Sequence, residues 1–255
     1  MGRWVALLLL LFAGSGFAQQ TDPAAYPEPD SVDAWRSLGA SYIRKALKEQ
    51  KLDKDPVLNA RIDAAMAAVG AAAAAIDPRH AASGWRAILI QGFGRGAAAF
   101  PGGTILVDAT FVRTLGLSND ELALILAHEV AHVLAGHASA KLSFMAEILG
   151  KEKVPTAHTA LVEFLAKNSY AEEFMPKARQ QEREADSLGA AIFAATGYDA
   201  PRALKLFDKL SEQEARSNLR AGHETDSHDS ARARKHAVAR VIAELRKLDL
   251  SHHQQ

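Results

Sequence analysis

The chain has 255 residues, 48% hydrophobic and 24% charged, which is enough apolar material for a sizeable core. Lys+Arg and Asp+Glu balance at 30 each with no basic stripe, which argues against a nucleic-acid partner. Cysteine is absent, so disulfides and cysteine-linked lipid are excluded and the folded part relies on its core.

The first residues read as a targeting segment. Arg3 supplies a positive start, Trp4 to Phe12 an apolar run, and Gly16-Phe17-Ala18 a small-x-small cleavage site before Gln19. Residues 1–18 are expected to be a signal peptide, which places the mature chain in the periplasm or outside the cell. No transmembrane span is expected in the mature chain. Gln19 to Asp33 is rich in Pro, Asp and Gln and reads as a leader. Ala34 to Lys51 has helical periodicity through Trp35, Leu38, Tyr42, Ile43 and Leu47. Together these form an expected N-terminal leader and helix over 19–55.

From 56 to 250 the chain reads as one domain, mainly α with a small β-sheet. Pro56 opens a helix through an alanine-rich segment to Ile76, stopped by Asp77-Pro78. Trp85 to Gln91 and Thr104 to Asp108 are strand-like. Between them, Gly92 to Gly103 is a glycine-rich turn region that hairpin geometry explains. Ala109 to Leu115 is a short helix. His137 to Met175 reads as helical with a break at 151–155, and a further helix is expected from about Pro176 to Thr196, ended by Gly197. A helix through Leu210, a polar loop over 222–230 and a last helix to about Leu248 complete the domain. Residues 251–255 read as a disordered tail.

The most informative stretch is Leu122 to Gly136, which contains His128-Glu129-Val130-Ala131-His132, an H-E-x-x-H pattern. Ser118 and Glu121 form a capping box ahead of it, and the residues from Leu122 to Leu134 are apolar all round except for the motif. Residues four apart on a helix share a face, so His128 and His132 can offer two imidazoles to one metal. Glu129 lies about 100° away and is left free to handle water. Charged and polar groups in a buried helix need partners, and a metal supplies them.

A catalytic zinc usually takes three protein ligands and keeps one position open. His137 is one candidate, but it falls out of the H-E-x-x-H-x-x-G-x-x-H register and reads instead as a residue at the helix C-terminus. Gln181-Glu-Arg-Glu-Ala-Asp-Ser-Leu-Gly189 offers another. On a helix, Glu182 shares a face with Ala185, Asp186, Gly189 and Phe193, whereas Glu184 lies about 200° away on the solvent side. A carboxylate aimed at a core needs a positive partner. Asp186, one turn on, can accept from a ligating imidazole. Taken alone, the run also reads as a surface Glu-Arg-Glu series; beside the H-E-x-x-H it reads as the third ligand.

His128-Glu-Val-Ala-His132 with Glu182-Arg-Glu-Ala-Asp186 resembles the gluzincin metallopeptidase family of the CAAX prenyl endopeptidases and the heat-shock protease HtpX, especially its soluble exported bacterial members. Pro101-Gly102-Gly103, Ala195-Thr-Gly-Tyr-Asp199, and His228 with Arg234 resemble further motifs of that family, so the likeness runs from about Ile90 to Ile242. Asp229 stands where the family has proline, and Gly96 where an asparagine is expected.

The resemblance implies a gluzincin fold and a zinc metalloendopeptidase, with one Zn2+ held by His128, His132 and Glu182. Glu129 is then the general base, His228 a donor to the tetrahedral oxyanion, and Thr104 to Asp108 beside Pro101, Gly102 and Gly103 the strand that receives an extended substrate. Protein or peptide substrates follow, in particular misfolded or unassembled envelope proteins, together with an association with outer-membrane assembly machinery. The resemblance also suggests that Lys141 to Lys177 or the His228 loop covers the site. The alternative readings are a zinc-containing chaperone-like protein that binds clients without cutting them, and an exported metal-binding helical protein without a substrate.

Overall fold

The computed structural model describes residues 51–78, 84–94, 96–100, 102–150, 168–218 and 229–252, with isolated positions between 40 and 49. The expected signal peptide, the leader, most of the helix expected before residue 51, Pro101 and His228 lie outside the described residues.

The described chain is mainly helical with one small sheet. Helix α1 (Pro56–Ile76) starts as the sequence dictates: Pro56 needs no N–H partner at the first position, and Asp55 accepts from the N–H groups of Val57 and Leu58. Its Leu58, Ile62, Met66 and Val69 are buried in the main core. The sheet follows, built from β1 (Arg86–Ile90), β2 (Ala97–Phe100) and β3 (Thr104–Asp108) in the order β1-β3-β2. β1 pairs parallel with β3, and β2 pairs antiparallel with β3. Along β3, Ile105 and Val107 enter the main core while Leu106 joins Ile90, Phe100 and Met145 in a second cluster on the opposite face. All five β3 residues are buried, as befits a central strand covered on both sides.

Helix α2 (Ala109–Thr114) leads into α3 (Asn119–Leu134), the H-E-x-x-H helix. Its capping box is formed: the Glu121 N–H donates to Ser118 Oγ and the Ser118 N–H donates to Glu121 Oε2. The buried Glu121 carboxylate also accepts from Lys209 Nζ at 2.7 Å, which ties a later helix to the start of α3. Helices α4 (His137–Leu149), α5 (Asn168–Ala194), α6 (Ala200–Ala203), α7 (Lys205–Asn218) and α8 (Ala231–His252) follow. α3 packs against α1, β2, α5 and α6, so it runs through the middle of the core.

The structure differs from the sequence expectations in several places. Ala97 to Phe100 is a strand, although three alanines carry little strand propensity; pairing with β3 supplies what the residues themselves do not. β1 and β3 are therefore parallel neighbours rather than the arms of one hairpin. β3 has a strand on each side, so it cannot receive an added strand as expected. Among the described residues, β2 has one partner in the sheet and is the edge on that side. α5 begins at Asn168 and carries Pro176 inside it. Pro176 has no N–H to offer the Glu172 carbonyl, and buried Phe174 holds that turn against Phe144 with ring centroids 4.9 Å apart. α8 runs to His252, two residues into the stretch expected as a tail.

Candidate metal centre

The centre lies where α3 crosses α5. That crossing is close because Gly189 has no side chain. A Cβ there would stand 2.9 Å from the His128 Cα, closer than packed atoms approach. The face of α5 that meets α3 carries Ala185, Asp186 and Gly189, all buried, with Glu182 one turn earlier.

Three ligand atoms converge there. His128 Nε2 is 3.1 Å from His132 Nε2, and Glu182 Oε2 is 3.3 Å from the first and 3.6 Å from the second. Four ligands at zinc bonding distances of 2.0–2.1 Å in a tetrahedron stand about 3.3 Å apart, so the donor set fits one such ion without rearrangement. Among the described residues this is the one His/Cys/Asp/Glu group with the spacing to hold a metal. The chemistry agrees with the spacing. Two imidazoles facing each other through Nε2 leave room for a single proton between them, and an ion accepted by both removes that constraint.

Each histidine is held from behind. His128 Nδ1 faces Asp186 Oδ1 at 3.1 Å, and Asp186 receives both arms of the Arg234 guanidinium at 2.9 and 2.8 Å. Arg234 also lies over the Phe207 ring, 5.6 Å from its centroid. Burial pushes the Asp186 carboxyl up, but His128 and Arg234 outweigh it and hold the pKa at about 2. Burial likewise disfavours a charge on His128, yet the carboxylates of Asp186 and Glu182 outweigh it and raise the pKa to about 9. At His132 burial prevails and the pKa is lowered. His132 Nδ1 lies 2.8 Å from His137 Nδ1.

His137 corrects the sequence reading. It is not the last turn of α3 but the first residue of α4, after Gly136 in the left-handed region at φ 66°, ψ 26°. It is buried, with Nε2 3.5 Å from Glu184 Oε2. Glu184 is correspondingly only partly exposed and turned toward the site, not out to solvent. The one signal in the sequence was Gly136 itself, which ends α3 and re-aims the next residue.

A cavity of about 570 Å³ reaches the centre at His128 and Glu129; His132 and Glu182 do not line it. His128, Glu129, Asp186, Gln213, Glu214 and Arg234 are its polar lining, and Phe111, Leu124, Ile125, Leu206, Phe207, Leu210 and Val238 its apolar side. Ala97 of the edge strand, with Gly94 and Gly96, lines the rim. Gly102 and Gly103 form the β2–β3 turn at φ 95° and 87°, with the Gly103 carbonyl accepting from the Arg86 N–H. Their observed role is to make the turn. Asp229 accepts both arms of Arg183 at 2.7 and 3.0 Å.

A mainly helical chain with a small sheet, in which one helix presents His, His and a free Glu while another supplies a third ligand, has the architecture of a metallopeptidase. Residues 56–242 match Peptidase family M48, and the chain belongs to that family. Among curated relatives, it is 27% identical over 214 residues to a Vibrio cholerae protein named as a beta-barrel assembly-enhancing protease, taking in 76% of this chain and 43% of that one. It is 26% identical over 124 residues to the mitochondrial metalloendopeptidase OMA1 of Saccharomyces cerevisiae, taking in 48% of this chain and 35% of that one. The chain thus spans less than half the length of these relatives.

Proposed function

We propose that this protein is an exported zinc metalloendopeptidase. The observation that carries the reading is the convergence of His128 Nε2, His132 Nε2 and Glu182 Oε2 at one point beside a cavity that Glu129 also lines. His128, His132 and Glu182 would hold the ion. Zinc, when bound, polarises a carbonyl and makes water acidic enough to lose a proton near neutral pH.

The chain's own residues do the rest. Glu129 sits on α3 next to a ligand without being one, so its carboxylate is free to take a proton from water and return it to the leaving amine. Asp186, braced by Arg234, keeps the His128 ring turned with Nε2 inward. The edge strand β2, at the rim of the cavity, is the element that can add an extended peptide by main-chain pairing; this replaces the expectation for β3. The apolar side of the cavity keeps water from the reacting bond and accepts an apolar side chain. His228 keeps its proposed role as a donor to the oxyanion on resemblance alone.

Export, and action on misfolded or unassembled envelope proteins beside the outer-membrane assembly machinery, are supported by the N-terminal signal pattern and by the name of the Vibrio cholerae relative. The test of the activity is Glu129→Gln. The variant should keep its zinc and lose casein cleavage by about 10²–10⁴-fold, the usual weight of a general base. Cleavage at the wild-type rate would remove Glu129 from the mechanism.

A further inference from the structure

Behind His132 stands a second pair of groups that the proposed mechanism does not use. His137 Nδ1 is 2.8 Å from His132 Nδ1, and His137 Nε2 is 3.5 Å from Glu184 Oε2. For His132 to offer a lone pair at Nε2, its proton must sit on Nδ1. His132 Nδ1–H then donates to His137 Nδ1. That places the proton of His137 on Nε2, which stands 3.5 Å from Glu184 Oε2, within ion-pair reach of the carboxylate but without hydrogen-bond geometry. The order His132, His137 leaves one consistent direction for the protons, and the second proton ends beside the Glu184 carboxylate. We propose that His137 and Glu184 are positioning residues, a relay that fixes His132 in the tautomer and ring orientation needed to hold the metal. This inference rests on the metal-centre reading above.

The backbone supports it. On an unbroken helix, His137 would stand five residues and about 140° from His132, facing away. The left-handed Gly136 ends α3 and starts α4 so that the His137 ring returns to the His132 ring, 4.8 Å between centroids and 76° between planes. A buried imidazole costs free energy unless its nitrogens are used; His137 is 7% exposed, its Nδ1 pairs with His132, and the group nearest its Nε2 is the Glu184 carboxylate. The two ligand histidines are thus supported from separate sides: His128 by Asp186 with Arg234, His132 by His137 with Glu184.

Zinc affinity of the full chain, measured by chelator competition, tests this. His137→Phe should bind zinc about 10–100-fold more weakly, the range for removing such a support. Glu184→Gln should weaken binding in the wild-type background and have no further effect in His137→Phe, because Glu184 acts through His137. Glu173→Gln, an exposed change on the same helix, is the control. In the cobalt-substituted protein, Glu184→Gln should also shift the visible absorption bands, which a merely structural role would leave in place. Should His137→Phe fail to fold, the effects of Glu184→Gln on affinity and spectrum still decide the matter. Wild-type affinity in Glu184→Gln with an unshifted spectrum overturns the relay, and so does an equal Glu184→Gln effect with and without His137. A wild-type chain that binds no zinc would instead overturn the metal centre itself, a distinguishable failure.

Discussion

At the scale of single residues, most of the charges around the centre are buried or half-buried and paired, Glu129 being left free for its proposed role. Asp53 is an instance outside the site. The segment before α1 pairs with β1, and Asp53 receives Arg113 at 2.6 and 2.9 Å together with the Asp55 N–H and Gln91. The Arg113 hydrogen bonds outweigh burial and lower its pKa from 3.8 to about 2. A lowered carboxylate stabilises the fold above its unfolded pKa, and that stabilisation is lost as pH falls through the folded value. The denaturation midpoint should therefore drop between about pH 4 and 2, and Arg113→Met should flatten that drop; parallel curves would show that the pair does not link folding to pH. Which residues could be read in advance follows the same logic. His128 and His132 were legible from helical spacing, and Glu182 and Asp186 from a shared helix face once it was read beside the H-E-x-x-H. His137 was not, since its place depends on one left-handed glycine and on the ring it packs against.

At the scale of elements, the centre depends on how closely α3 and α5 approach. Gly189→Ala would push a methyl into the backbone at His128, which cannot yield as a flexible side chain would. Overpacking of this kind costs about 1–3 kcal/mol, and here the strain falls on a ligand. Urea unfolding of the metal-free chain should show that loss, and zinc affinity should fall with it. Neutral behaviour in both would mean that the helices can part without consequence. The helices themselves were largely readable: α1 from Pro56 and the Asp77-Pro78 stop, and α3 from its capping box. The sheet was less so. β2 is an alanine run whose extended form comes from β3, and the order β1-β3-β2 is a tertiary fact that no local pattern carries. The expected substrate strand moved from β3 to β2 for that reason alone. Pro176 likewise reads locally as a helix start, yet packing at Phe174 carries the helix through it.

At the scale of the whole molecule, the buried core and the centre share the same helices, so metal binding and stability are expected to be linked. Residues 56–242 carry the family match, and the described residues of that span carry the whole candidate centre except His228. Export is a separate claim. After expression with its own N-terminus, the chain should be recovered from the periplasm beginning at Gln19, as read by terminal sequencing; an uncleaved chain in the cytosol would contradict it. The central claim, a three-ligand zinc site shared between α3 and α5, is tested most directly by counting zinc per chain in purified wild type and in Glu182→Ala. One zinc is expected in the wild type and much less in Glu182→Ala, because two histidines alone hold the ion weakly. A full complement of zinc in Glu182→Ala, or none in the wild type, would contradict it.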